Sequence, residues 1–278
     1  MASEKNVKRK QCDVFTLNVG NTNTKIVGWR GRTPATSLAW QTEAKPPREL
    51  AGLLRSDGDK STPVVLAGVV PLYKYDIASL LFTLEREVMV FRKDLKPEIE
   101  IVPRPPDRVG DDRIAGAIGA LALDPKRPWV IVDMGTAMTI NAVTPARGAA
   151  LPRFEGGLIV PGTITSLMAL SEYTAQLPLL EQRLPVFAWP HSTFIGRNTR
   201  QAMLLGVWHA QLAAAVALAK GQMCELGPRT RVVLTGGWSV AAGFSMEFRE
   251  GFAPGEVIPF AELVHLGLFS VWKAHARE

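Results

Sequence analysis

LNVGNTNT (17–24) and VDMGTAMT (132–139) are two copies of one pattern. Each passes from an apolar strand through Asn or Asp, an apolar residue and Gly into polar residues, with Thr at the same final offset. A second apolar run follows each copy, Lys25 to Trp29 in the first and Ile140 to Val143 in the second. Strand, Gly turn and strand predict a hairpin, because glycine admits backbone conformations that side chains exclude. Two copies at the heads of two halves predict two similar lobes. Asp124 to Pro128 reads as the boundary. The expected organisation is a solvated tail over 1–12, one lobe over 13–125 and a second over 126–278.

Outward from the hairpins, Val64 to Val70 reads as a buried strand ending at Pro71, and Ile77 to Glu87 as a helix. Arg113 to Leu123 is Ala- and Gly-rich and helical, with an acidic first turn. Gly156 to Gly162 reads as a strand and turn, Arg231 to Leu234 as a strand. Thr165 to Thr174, Thr199 to Leu226 and Ala261 to His275 read as helices. Strands alternating with helices mean an α/β fold. Leu204 to Ala219 is apolar, but His209 and Gln211 interrupt it, so a buried helix is expected rather than a membrane span.

Composition narrows the class. With 47% of 278 residues apolar, the chain can bury a real core and is not a disordered sequence. The 32 basic and 26 acidic residues leave +6, and four of the basic residues sit in Lys5 to Lys10. So small an excess gives no argument for a nucleic-acid partner, and the basic stretch reads as solvated. Cys12 and Cys224 are far apart, which excludes a disulfide scaffold, and with four scattered His they offer no zinc spacing. The basic N-terminus lacks a following apolar segment, so no secretory signal is expected. These features predict a cytoplasmic protein with no membrane association.

Three motifs can carry chemistry. The Gly turns of the hairpins can aim backbone N–H groups and Thr hydroxyls at an anion, although ordinary hairpins look the same. Gly110-Asp111-Asp112-Arg113 stands at a loop-to-helix junction, where acidic residues cap the helix. A carboxylate beside an arginine could instead take a proton from a substrate hydroxyl while the arginine holds a carboxylate. Thr235-Gly236-Gly237 makes a turn suited to adenosine or phosphate packing, or to structure alone.

In order, NVGNTNTK (18–25), GDDR (110–113), DMGTAMT (133–139), GGLIVPG (156–162), IGRNT (195–199) and TGG (235–237) resemble the motifs of the type III pantothenate kinases, the Bvg accessory factor family. That family belongs to the superfamily of acetate kinases, sugar kinases and actin. The resemblance implies two ribonuclease H-like lobes, the actin-like ATPase duplicate fold, with ATP in a central cleft. It implies transfer of the γ-phosphoryl group of ATP to pantothenate, in coenzyme A biosynthesis. Asp112 matches the general base, and Gly110, Asp111 and Arg113 match the pantothenate-binding segment. Asn18, Val19, Gly20, Asn21, Thr22, Asn23, Thr24 and Lys25 match the first phosphate loop. Thr136, Gly236 and Gly237 match further ATP contacts. Asp133 matches the ligand of a monovalent cation, K⁺ or NH₄⁺, and Mg²⁺ is expected with ATP. Thr199 matches a substrate contact supplied by the other subunit of a homodimer.

Two positions depart from the family pattern. Asn18 stands where the family's first loop begins with Asp, which removes a negative charge near Mg²⁺. Pro103 stands nine residues before Asp112, where the family places a pantothenate-contacting Tyr. They motivate two alternatives: a catalytically degenerate regulatory or binding protein, and a kinase of the same fold for another small hydroxyl substrate.

Overall fold

The computed structural model describes residues 11–42, 44–180, 193–240 and 242–276. In chain order its first elements are β1 (Val14–Val19), β2 (Asn23–Arg30), β3 (Thr33–Gln41), α1 (Arg48–Asp57), β4 (Val64–Gly68), α2 (Pro71–Thr83), β5 (Val88–Val90), β6 (Glu100–Ile101) and α3 (Asp111–Leu123). Then come β7 (Trp129–Met134), β8 (Ala137–Thr144), β9 (Arg153–Pro161), α4 (Thr163–Glu172), α5 (Thr199–Leu226), β10 (Arg231–Thr235), α6 (Ala242–Glu250), β11 (Val257–Pro259) and α7 (Leu263–His275).

Packing divides the chain into two compact units. The first holds the described residues up to Pro97, Gly110–Ile118 and the described residues from Val264 onward. Its sheet has the order β3-β2-β1-β4-β5. β1, β2 and β3 run antiparallel, while β4 and β5 run parallel to β1. Every residue of β4 is buried, as a continuous apolar run in a central parallel strand should be. α2 starts at Pro71 rather than Ile77. Proline suits a first helical position because that N–H has no intrahelical partner.

The second unit holds Glu98–Val109 and Gly119–Leu263. Its sheet has the order β11-β10-β7-β8-β9-β6. Without β6, its order and strand directions repeat those of the first sheet. The internal repeat read from the hairpins therefore extends to whole sheets. α5 is the one helix among the described residues long and apolar enough to cross a membrane. Met203, Leu204, Trp208, Ala215 and Ala219 are nevertheless buried in the core of this unit, as expected. Gln211 Nε2 donates to Pro161 O at 3.1 Å, which also fits a helix packed inside protein.

The units do not part at residue 125. β6 pairs with β9, Glu100 opposite Arg153 and Ile101 opposite Phe154, which draws residues 98–109 into the second unit. The chain from Val264 onward joins the first: His265 Nδ1 lies 3.0 Å from Thr16 Oγ1, and the Phe269 ring stacks on Trp29 at 4.8 Å. A Cβ on Gly267 would lie 1.8 Å from Ala115 O, so α7 and α3 meet backbone to backbone. Strand pairing and burial of aromatic surface override chain order. The tail expected over 1–12 lies outside the described residues up to residue 10. Cys12, expected to be solvated, is buried, and its N–H donates to Asp57 O at 2.6 Å.

Candidate active site

In the first unit the β1–β2 hairpin turns between Val19 and Thr24, with Gly20 N–H donating to Asn23 O at 3.1 Å. A Cβ on Gly20 would lie 2.8 Å from that oxygen, so the turn requires glycine. The Thr42 hydroxyl donates to Gly20 O at 2.7 Å and accepts from the Thr24 hydroxyl at 3.0 Å. Thr24 and Val19 are fully buried, so their side chains brace the turn and do not face a ligand. Asn21, Thr22 and Asn23 are exposed, while Asn18, Gly20 and Lys25 are half-buried. Asn18 lies opposite Lys25, and its Oδ1 is buried with no hydrogen-bond partner.

The same unit carries Gly110 to Arg113 at the head of α3. Asp111 and Asp112 differ sharply although adjacent. Asp111 Oδ2 accepts from Gly68 N–H at 3.3 Å and from Lys74 Nζ at 3.4 Å, and Arg92 Nη1 lies 3.6 Å from Oδ1. Asp112 Oδ1 accepts from Arg113 N–H at 2.8 Å. Burial pushes the Asp112 carboxyl above the usual range, against the opposing pull of that N–H and of the Arg113 charge. Gly110 makes room for it, since a Cβ there would lie 2.6 Å from Asp112 Oδ1.

In the second unit the β7–β8 hairpin turns between Met134 and Met138, with Gly135 N–H donating to Ala137 O at 3.2 Å. Three residues separate the pair, against four in the first hairpin. The copies therefore match up to their glycine and slip by one residue after it. Thr24 pairs with Val19, but Thr139 pairs with Asp133, so the two threonines are not equivalent. Thr136 is exposed, and its carbonyl accepts from Gly162 N–H at 3.0 Å and from the Thr165 hydroxyl at 2.6 Å. A Cβ on Gly162 would lie 2.2 Å from Gly135 O. The Pro-Gly pair that ends GGLIVPG thus lets the start of α4 clamp the hairpin.

Asp133 is opposite Thr235 of β10, which brings Gly236 against it. Gly236 has φ +89°, and a Cβ there would lie 2.4 Å from Asp133 Oδ1, whereas Gly237 faces open space. Gly236→Ala is expected to cost about 2–4 kcal/mol from the left-handed strain and the clash together. A thermal melt checks this, and a variant as stable as the parent would show that the turn tolerates a side chain at Gly236.

Thr199 opens α5 and is exposed. Asn198 Oδ1 accepts from Gln201 N–H at 2.9 Å, and Gln201 Oε1 accepts from Arg197 N–H at 3.0 Å. IGRNT is thus a reciprocally capped helix start. Pro103 packs beside Gly156, its Cγ 3.3 Å from where a Cβ would be. Lys74, Arg92, Thr42 and Thr165 were not legible as site residues, because none belongs to a motif.

The family model described as type III pantothenate kinase matches residues 14–220. The chain belongs to the type III pantothenate kinase family. Membership makes it an ATP-dependent kinase by family. It is 30% identical over 273 residues to the type III pantothenate kinase of Hyphomonas neptunium, covering 94% of this chain and 98% of that one. Among solved structures it resembles a conserved Campylobacter jejuni protein of the Baf family of transcriptional activators, with TM-score 0.54, 15% identity and coverage of 95% and 100%. It also resembles a ROK family protein from Streptococcus pneumoniae solved with sucrose, with TM-score 0.53, 12% identity and coverage of 95% and 99%. These likenesses carry the fold, a two-lobed actin-like α/β architecture. The family match ends before Gly236 and Gly237.

Proposed function

We propose that this chain transfers the γ-phosphoryl group of ATP to the hydroxyl of pantothenate, with Asp112 as general base. The observation that carries this reading is the half-buried Asp112 carboxyl at the head of α3, bonded by Arg113 N–H and beside a glycine that makes room for it. A carboxyl whose affinity for protons is raised by desolvation is suited to taking a proton from an attacking hydroxyl. Phosphoryl transfer otherwise needs positioning and neutralisation of charge. Arg113 and Gly110 would bind the acceptor. Thr199 would reach it from the partner of a homodimer. Exposed apolar side chains on β9, at the end of α4 and in the segment before α5, among them Ile159, Tyr173, Phe194 and Ile195, support such a dimer.

The loop from Asn18 to Lys25 would hold phosphates, through backbone groups alone at Val19 and Thr24. Thr136, Gly236 and Gly237 would contact the nucleotide as well. The donors present fit hard cations: the buried Asn18 Oδ1 lacks a partner, and the Asp133 carboxylate stands where only a glycine neighbour leaves room. Asn18 would hold Mg²⁺ through its hydration shell, and Asp133 would bind K⁺ or NH₄⁺. Bound cations supply neutralisation of phosphate charge. A cytoplasmic enzyme with no membrane or nucleic-acid partner is the setting this reading implies.

The test is ADP production by purified protein with and without pantothenate, in K⁺ and in Na⁺ buffer. Turnover that requires pantothenate and falls in Na⁺ is expected. ATP turnover indifferent to pantothenate would overturn the acceptor, and a better acceptor in a panel of small alcohols would favour a different substrate. Asn18→Asp restores the charge of the family pattern. It is expected to lower the Mg²⁺ concentration for half-maximal rate by several-fold, read in a Mg²⁺ titration.

A further inference from the structure

Asp111, Lys74 and Arg92 form a cluster that no motif announces. Their side chains are mostly buried, at 14%, 26% and 20% exposure. They come from three elements: the head of α3, α2 and the turn after β5. Lys74 Nζ also lies 3.4 Å from Gly68 O, so it binds the end of β4 together with Asp111. Arg92 adopts φ +65°, a left-handed conformation that non-glycine residues avoid, and its N–H donates to Leu95 O at 2.9 Å. That turn aims the guanidinium at Asp111. The Asp111 carboxylate is met by Gly68 N–H, Lys74 and Arg92, and the last two are cations.

We propose that Lys74 and Arg92 are positioning residues for phosphoryl transfer, locking the first turn of α3 through the Asp111 carboxylate so that Asp112 is held in place and in its ionic setting. This rests on the kinase reading above, and it gives Asp111 a task other than touching substrate. The charged groups around the first turn of α3 are Asp111 and Arg113 on the helix itself, Lys74 from α2 and Arg92 from the turn after β5. α7 contributes His265, which is buried and bonded to Thr16. The negative charge of Asp111 works against ionisation of Asp112, and Lys74 and Arg92 pair with that charge at the Asp111 carboxylate.

The test compares Asp111→Asn, Lys74→Met, Arg92→Met and Arg92→Lys with the parent. Two readouts are used: the acid limb of the kcat–pH profile with pantothenate, and carboxyl ¹³C titration of Asp112, assigned by its loss in Asp112→Asn. Asp111→Asn leaves two cations unopposed and should move the Asp112 midpoint down by about half a pH unit or more. Lys74→Met and Arg92→Met leave Asp111 less compensated and should move it up. Arg92→Lys keeps the charge and should hold the midpoint at the parent value. Both Met variants should lose about tenfold in kcat with KM for ATP within about twofold, as expected for a displaced base. Midpoints that stay put, or all move the same way, would overturn the network. A parent without pantothenate turnover, with midpoints moving oppositely as described, would overturn the kinase reading and leave the network standing. Circular dichroism identifies any variant that fails to fold, and Arg92→Lys against Asp111→Asn then decides.

Discussion

Asp112→Asn is expected to abolish turnover and, at neutral pH, to melt at a higher temperature than the parent. The loss of rate follows from removing the proposed base, worth about 100- to 10,000-fold. The gain in stability follows from burial. The Asp112 carboxyl is pushed above 3.8 in the folded chain, so the unfolded chain ionises first as pH rises. The Asp112 contribution to stability is therefore fully present below pH 3.8 and is lost as pH climbs toward the folded value. At pH 7, where the unfolded carboxyl is ionised, the folded chain carries a desolvation cost that the neutral amide does not. The two melting curves should converge on acidification to about pH 4. A variant that melts lower at pH 7, or still turns over, would contradict the assignment.

Acidification from pH 7 to pH 5 should cost the parent about 2 kcal/mol through His265 alone. Full burial, with the nearby Lys25 charge adding to it, lowers this imidazole from 6.5 to about 3. The unfolded chain therefore binds a proton between those values that the folded chain refuses. Stability present above pH 6.5 is lost progressively as pH falls toward 3. His265 sits in a hydrogen-bonded trio, its Nδ1 on the Thr16 hydroxyl, which also accepts from Trp29 Nε1 at 2.9 Å. His265→Gln can still bond to Thr16 but does not titrate. Denaturant melts at pH 7 and pH 5 should show a shallower loss for the variant. Equal losses would show that His265 is not the group being protonated.

Both sheets were legible from their hairpins because a strand, a glycine and a strand leave a local pattern. The pattern fails at turn length. The one-residue slip that separates Thr24 from Thr139 follows from hydrogen bonds across each turn, and four residues or three look alike in an aligned repeat. β3 was missed because TPATSLAWQ is polar and alternates weakly, as an edge strand with one wet face does. GDDR was legible as a candidate site, but the different surroundings of its two carboxylates were not. Nothing local distinguishes the paired Asp111 from the desolvated Asp112, since Lys74 and Arg92 lie 37 and 19 residues upstream of Asp111.

The return of α7 to the first sheet has a consequence for synthesis. The second unit is nearly continuous, from Gly119 to Leu263 with a short upstream piece, so its core is complete once the ribosome has passed Leu263. The first unit begins earlier yet finishes later. Its Thr16–His265 contact spans 249 residues, and Trp29 meets Phe269 only once α7 has been made. The older half of the nascent chain must therefore wait, with Trp29 uncovered, while the younger half folds. A message cut short just after Leu263 would yield a protein with one finished lobe and one open one, a form that proteases and chaperones would recognise by its exposed aromatic face.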